Sequence, residues 1–198
     1  MRLLAGTASW TDPTLMACGR FYPPHANSAE ARLRFYASRF GLAEVDSSYY
    51  ALPSAENAYL WAQRTPDDFV FNIKAYRLFT GHQTPLTALP ADIRQELGDW
   101  PEPVIYHRGM PDDLRDELWR RYTLALEPLR MADKLGAVHF QFPPWVQRDA
   151  RGMALVADCV RRLEDHLVSV EFRHRSWFAT PAATAATLAM ERELGVVH

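Results

Sequence analysis

Cysteine is scarce in this chain of 198 residues, where only Cys18 and Cys159 occur. Two thiols build no disulfide framework, no Cys-x-x-Cys pair is present for a structural metal, and neither thiol stands in a motif with a positioned base. The His-x-His and His-Glu-x-x-His spacings of metal sites are missing, as is the Gly-x-Ser-x-Gly elbow of serine hydrolases. No apolar run is long enough to cross a bilayer, and MRLLAGTASW carries too short a run for a secretory leader. The expectation is a cytoplasmic protein without a membrane partner. Charge of one sign is lacking too. The formal net charge is -2, so no global field draws the chain onto nucleic acid. No internal repeat stands out, and the one biased tract is an Ala/Thr-rich helix pattern near residue 185.

What is present suits a folded globular domain. Hydrophobic residues make up 48% and charged residues 23%, enough apolar surface for a core at this length. The 14 prolines fall mainly in segments that read as loops.

Short apolar runs alternate with helical patterns. Strand candidates are RLLAG (2–6), LAEVD (42–46), FVFNIK (69–74), AVHFQF (137–142) and VSVEFR (168–173), and VVH begins a sixth. Helix patterns start after Ser28 and Ser54, which suit N-caps, and recur over 111–136, about 149–166 and 181–195. Pro128 is expected to kink the 111–136 helix. TASWTDP, FYPPH and SSYYALPS read as loops. Residues 75–110 read as a loop-rich insertion that keeps Leu89, Trp100 and Ile105. Alternating strands and helices with no internal boundary predict one domain over 1–198 built from parallel βα units.

Four strand candidates share an unusual division. Val45 opposes Glu44 and Asp46. Phe69, Phe71 and Ile73 oppose Asn72 and Lys74. Val138, Phe140 and Phe142 oppose His139 and Gln141, and Val168, Val170 and Phe172 oppose Ser169, Glu171 and Arg173. A parallel sheet packed between two helical layers is apolar on both faces. A sheet with one polar face fits a TIM-type (β/α) barrel, apolar toward its helices and polar toward its lumen. Function in such a fold sits at the C-terminal strand ends, which singles out Asp46, Lys74, Gln141, Glu171 and Arg173. The competing reading is a structural network in which those charges neutralise one another.

GTASW (6–10), FYPP (21–24), YASRF (36–40), EVDSSYY (44–50), LPS (52–54), TPDDFVFNIK (65–74), DKLGAVHFQFPP (133–144) and VEFRHRSWF (170–178) occur in that order. Together they resemble the YecE-like family, domain of unknown function 72. The resemblance runs along essentially the whole chain. It implies a TIM-barrel-type fold and a polar pocket, and it brings no established reaction. A full eight-stranded barrel takes about 250 residues. Five strands and the start of a sixth therefore read as a family member incomplete at its C-terminus.

Three functional readings follow. The first is hydrolase-like acid–base chemistry on a sugar- or phosphate-bearing substrate. Asp46, Glu171 and Glu44 are the candidate catalytic carboxylates, with Lys74, Gln141, Arg173, His174, Trp10, Tyr49 and Trp177 as candidate binding residues. The second is a nucleic-acid or phosphate site like that of endonuclease IV-type barrels. Glu44, Asp46, His139, Glu171 and His174 are then possible metal ligands, and Lys74, Arg77, Arg173 and Arg175 form a basic rim. The third is a binding protein for a small anion or sugar, without turnover. No metal set or cofactor is specified by any motif. His82 and His107 are expected as solvated loop residues, Asp133 and Lys134 as surface charges, and Trp61 as core.

Overall fold

A computed structural model describes residues 3–198. Its main feature is a parallel sheet of five strands: β1 (Gly6–Ala8), β2 (Leu42–Val45), β3 (Val70–Lys74), β6 (Leu135–Phe142) and β7 (Val168–Phe172). Two short strands, β4 (Thr84–Pro85) and β5 (Val104–Ile105), pair antiparallel outside it. The helices are α1 (Pro13–Ala17), α2 (Ala29–Ala37), α3 (Ser47–Tyr50), α4 (Ala55–Gln63), α5 (Ala91–Leu97), α6 (Asp112–Met131), α7 (Ala150–Arg161) and α8 (Pro181–Leu194).

Strand order in the main sheet is β1-β2-β3-β6-β7, the order of the chain. Right-handed crossovers in a monotonic order place every connecting helix on one face of the sheet. The side chains agree. Ala43, Val45, Phe71, Ile73, Val138, Phe140, Phe142, Val168 and Val170 are buried in one cluster with Leu33, Tyr36, Ala58, Leu118, Trp119, Tyr122, Val156 and Cys159 of the helices. The alternate strand residues are only half-buried. The period of two along each strand therefore sorts the chain into a helix-covered apolar face and an open polar face.

Local chemistry sets the helix starts. The side chains of Ser28, Ser54, Asp149 and Thr180 each accept a hydrogen bond from a first-turn N–H, of Ala31, Asn57, Gly152 and Ala183. Each cap contributes about 1 kcal/mol. Helix α6 stays helical across Pro128, whose ring forfeits one backbone bond.

Several expectations are corrected. The first strand begins at Gly6 rather than at residue 2. Leu3 is exposed and Leu3–Ala5 is unpaired, and Arg2 lies outside the described residues. Gly6 is required there, because a Cβ would lie 1.9 Å from the carbonyl oxygen of Leu42. The SSYY stretch forms a helical turn, and Pro13–Ala17 forms another under an Asp12 cap. The 75–110 segment is rich in loop residues but is also structured. It folds its own two-stranded ladder and helix, and buries Leu78, Phe79, Leu89, Ile93 and Ile105. At the chain end, Val197 bridges in parallel to Ser169, the beginning of a sixth strand.

Lys134 is not on the surface. It is 4% exposed, and its Nζ donates to the carbonyl oxygens of Ala62 (2.6 Å) and Thr65 (2.7 Å) at the C-terminal end of α4. A chain carbonyl has no competing solvent there, so the ammonium serves as the missing C-cap partner.

Candidate functional site

The polar strand residues gather at the C-terminal ends of β2, β3, β6 and β7. Register brings them together: Lys74 pairs with His139 across β3 and β6, and Gln141 with Glu171 across β6 and β7. Lys74 Nζ lies 3.0 Å from Asp46 Oδ1 and 3.6 Å from Glu44 Oε1. The Lys74 carbonyl accepts from Ser48 Oγ at 2.6 Å and Tyr122 Oη at 3.2 Å, which holds the strand end that carries the ammonium.

A second group stands beside it. Glu171 Oε1 accepts from Arg173 Nε at 2.8 Å, and its Oε2 accepts from Gln141 Nε2 at 2.7 Å. His139 Nε2 is 3.6 Å from the same carboxylate, and its Nδ1 is 3.0 Å from Ser169 Oγ.

The two glutamates are driven in opposite directions. Burial pushes the Glu44 carboxyl above the usual carboxylate range. His139 and Lys74 oppose that shift, while adjacent Asp46 adds to it by repulsion and by sharing a hydrogen bond. Burial also pushes Glu171 upward, but the hydrogen bonds from Arg173 and Gln141 outweigh it and hold the carboxyl below its ordinary value. Lys74 is raised. Its desolvation is overcome first by the hydrogen bond to Asp46, then by the charges of Asp46, Glu44 and Glu171.

Aromatic and cationic groups from the 75–110 segment and the loops form the rim. Tyr49 lies 5.2 Å from His82 and 5.0 Å from Tyr50, ring to ring. Lys74 Nζ is 6.0 Å and Arg77 Cζ 5.2 Å from the Tyr49 ring centroid. Trp145 is exposed, held by its Nε1 bond to the Gly81 carbonyl at 3.0 Å, and 5.7 Å from the His82 ring.

Of the residues singled out by sequence, Glu44, Asp46, Lys74, Gln141, Glu171, Arg173 and Tyr49 converge on this region. Trp10 does not. It packs edge-on against Trp61 (5.6 Å) and Phe71 (6.0 Å), on the helix side of the sheet. Trp177 is wholly buried. It stacks on Phe172 at 3.9 Å and donates to the Val146 carbonyl at 2.9 Å, so it belongs to the core and offers no surface to a ligand. His174 is half-buried. Its Nδ1 accepts from the Ser176 N–H at 3.1 Å and so caps a short 3-10 turn.

His82 and His107 are not solvated. His82 is 9% exposed, with Nδ1 2.8 Å from Thr80 Oγ1. Burial, followed by Arg77, Arg173 and Lys74, depresses it to about 4. His107 is half-buried, with Nε2 lacking a partner, and burial with Arg115 lowers it to about 4. His82 and Trp145 were not legible as rim residues, since both lie in irregular segments without a periodic pattern. His139 was visible by alternation alone. Among the described residues, no three His, Cys, Asp or Glu side chains come together as a metal site would need. None of the described helices is long and apolar enough to cross a membrane.

Fold and site define an α/β protein with a charged cluster at the C-terminal ends of a parallel sheet. The chain belongs to the family described as protein of unknown function DUF72, whose model matches residues 4–198. It is 33% identical over 177 residues to the UPF0759 protein YunF of Bacillus subtilis, which covers 89% of this chain and 54% of that protein. The chain thus spans about half the length of this curated relative. A solved DUF72 protein from Enterococcus faecalis matches with a TM-score of 0.64 at 22% identity, over 83% of this chain and 51% of that one. One from Thermotoga maritima matches at 0.63 and 21%, over 98% of this chain and 62% of that one. At these identities the structural likeness speaks for the fold alone.

Proposed function

We propose that this chain carries the acid–base half of a TIM-type barrel active site for a small anionic or sugar-like substrate. The carrying observation is the opposed environment of its two glutamates. A carboxyl whose environment favours keeping its proton and a carboxylate whose environment favours releasing it are the two kinds of partner that acid–base hydrolysis uses. Glu171 takes a proton from the attacking water as its oxygen bonds to the substrate. Glu44 gives its proton to the oxygen of the departing group as that bond breaks. Lys74, Gln141 and Arg173 orient the carboxylates and face polar groups of the substrate. The monotonic strand order, with helices on one side and a polar face on the other, supports the barrel reading. The convergent carboxylates are matched by lysine and arginine rather than by further ligands, which favours acid–base work over an endonuclease IV-type metal site.

The test is a screen of nitrophenyl glycosides and nitrophenyl phosphate esters with the purified chain. Glu44→Gln and Glu171→Gln are expected to lower kcat by roughly a hundredfold or more. Activity falls at low pH as Glu171 protonates and at higher pH as Glu44 ionises. Ligand binding without turnover, equal in both variants, points instead to a non-catalytic binding protein. No ligand, with both variants less stable than the parent, leaves a structural charge network.

A further inference from the structure

The three carboxylates of the site are divided between two of its cations. Lys74 faces Glu44 and Asp46, and Arg173 faces Glu171. Arg77 faces none: among the described residues its guanidinium makes no ion pair, and its Nε is buried without a hydrogen-bond partner. Its backbone, by contrast, is fully engaged. The N–H donates to the Tyr49 carbonyl at 3.1 Å, and the carbonyl accepts from the His82 N–H and Thr80 Oγ1, each at 3.0 Å. The chain thus holds Arg77 rigidly at its root and leaves the charged fork unmatched. A guanidinium left without a carboxylate keeps its outer nitrogens available to an anionic group.

Arg77 lines a cleft of about 530 Å³, together with Tyr50, Leu52, Pro85 and Leu89 among others. That volume is in the range of small-molecule sites. The walls are mainly apolar, and Tyr50 is 62% exposed on one side. The cleft adjoins the polar cluster through Tyr49, which carries Arg77 at 5.2 Å and Lys74 at 6.0 Å from its ring. Among the described residues lining the cleft, Arg77 is the one cation, which suits one negative charge, and the planar guanidinium presents parallel donors to a planar acceptor.

We propose that Arg77 and the apolar cleft it lines form a carboxylate subsite, in which the substrate's acid group binds the guanidinium while its ring rests against Tyr50, Leu52 and Leu89. The subsite rests on the reading of the neighbouring cluster as a substrate site. It names the substrate as a monocarboxylic acid built on a ring.

Calorimetric titration of the full chain tests it with benzoate and glucuronate, their neutral counterparts benzamide and glucose, and phenyl phosphate. At least one acid is expected to bind at millimolar concentration or below, with its neutral counterpart at least tenfold weaker. Arg77→Gln weakens the acid roughly tenfold to a hundredfold and leaves the neutral compound unchanged. Arg77→Lys, which keeps the charge and loses the fork, falls between, and it decides the matter if Arg77→Gln does not fold. Binding of neither acid, equal binding of acid by Arg77→Gln, or tighter binding of phenyl phosphate than benzoate overturns the proposal. The two readings separate cleanly. If Arg77→Gln keeps full affinity for the acid while Glu44→Gln and Glu171→Gln abolish turnover, the subsite is wrong and the acid–base site stands. If Arg77→Gln loses the acid while those glutamine variants change neither turnover nor binding, the cleft is a carboxylate site and the acid–base reading falls.

Discussion

At Lys74 a single ammonium group serves two carboxylates on the neighbouring strand. Its side chain is 16% exposed, so solvent screens these contacts only in part. Lys74→Met leaves Glu44 and Asp46 as adjacent like charges. The expected loss of stability is about 1–2 kcal/mol at neutral pH. The sign of its pH dependence follows from Glu44. A carboxyl whose folded pKa is raised contributes stability at low pH, and that contribution is lost as pH rises through the folded value. Without Lys74 the rise is larger, so the deficit of Lys74→Met grows from pH 4 toward pH 8. Urea unfolding at several pH values measures it, and a deficit that shrinks with rising pH refutes the pairing.

His82 titrates with the opposite consequence. Its folded value of about 4 lies below the ordinary 6.5, so the fold favours the neutral ring. Stability from this group is complete above pH 6.5 and is lost as pH falls toward 4. The loss is on the order of 2 kcal/mol, allowing for partial hydration. His82→Gln removes that portion of the acid sensitivity. If the parent and the variant lose stability in parallel between pH 6.5 and 4, the ring does not titrate as argued.

Elements meet at Lys134, where a side chain preceding β6 closes the C-terminal end of α4. Three oxygens accept from its Nζ: the carbonyls of Ala62 and Thr65 and, at 3.3 Å, Thr65 Oγ1. Helix ends leave carbonyls without partners, and a cation there also favours the helix dipole. Lys134→Ala strands those carbonyls in a buried place. The expected cost is about 2–3 kcal/mol, seen as a lower thermal midpoint. A change within a few tenths of a kcal/mol contradicts the capping role. The same joint depends on Gly136, where a Cβ would lie 2.3 Å from Asn72 Oδ1, the oxygen that accepts from the Ala137 N–H at 2.9 Å. The register shift between β3 and β6 falls beside it, between Phe71 and Ile73.

For the whole molecule, one-sided packing has a measurable signature. Accessible surface is 10987 Å², against roughly 9,500 Å² for a typical folded monomer of this size. A sheet with helices on one face and its polar side open accounts for the direction of that difference. Protection from hydrogen exchange should follow position in the sheet. Amides of Phe71, Ile73, Val138 and Phe140, in the strands paired on both sides, are expected to open only with global unfolding. Those of the three-residue edge strand Gly6–Ala8 should exchange at least roughly tenfold faster. Equal protection across β1, β3 and β6 contradicts a core centred on the middle strands.

Alternation of polar and apolar residues was by itself enough to determine the strand faces. That pattern is local, with a period of two, and needs no knowledge of neighbours. It therefore identified Glu44, Lys74, Gln141 and Glu171 as residues of one polar face, and capping residues located the main helices to within a few positions. Tertiary structure alone decided which of these charges meet, because neighbouring strands bring together residues 28 to 65 positions apart in the chain. It also decided that Trp10 and Trp177 serve the core, that Lys134 is a buried cap, and that Arg77 stands without a carboxylate. Each of those outcomes depends on what packs from a distant element, where composition and spacing carry no information and burial sets the energy of every charge.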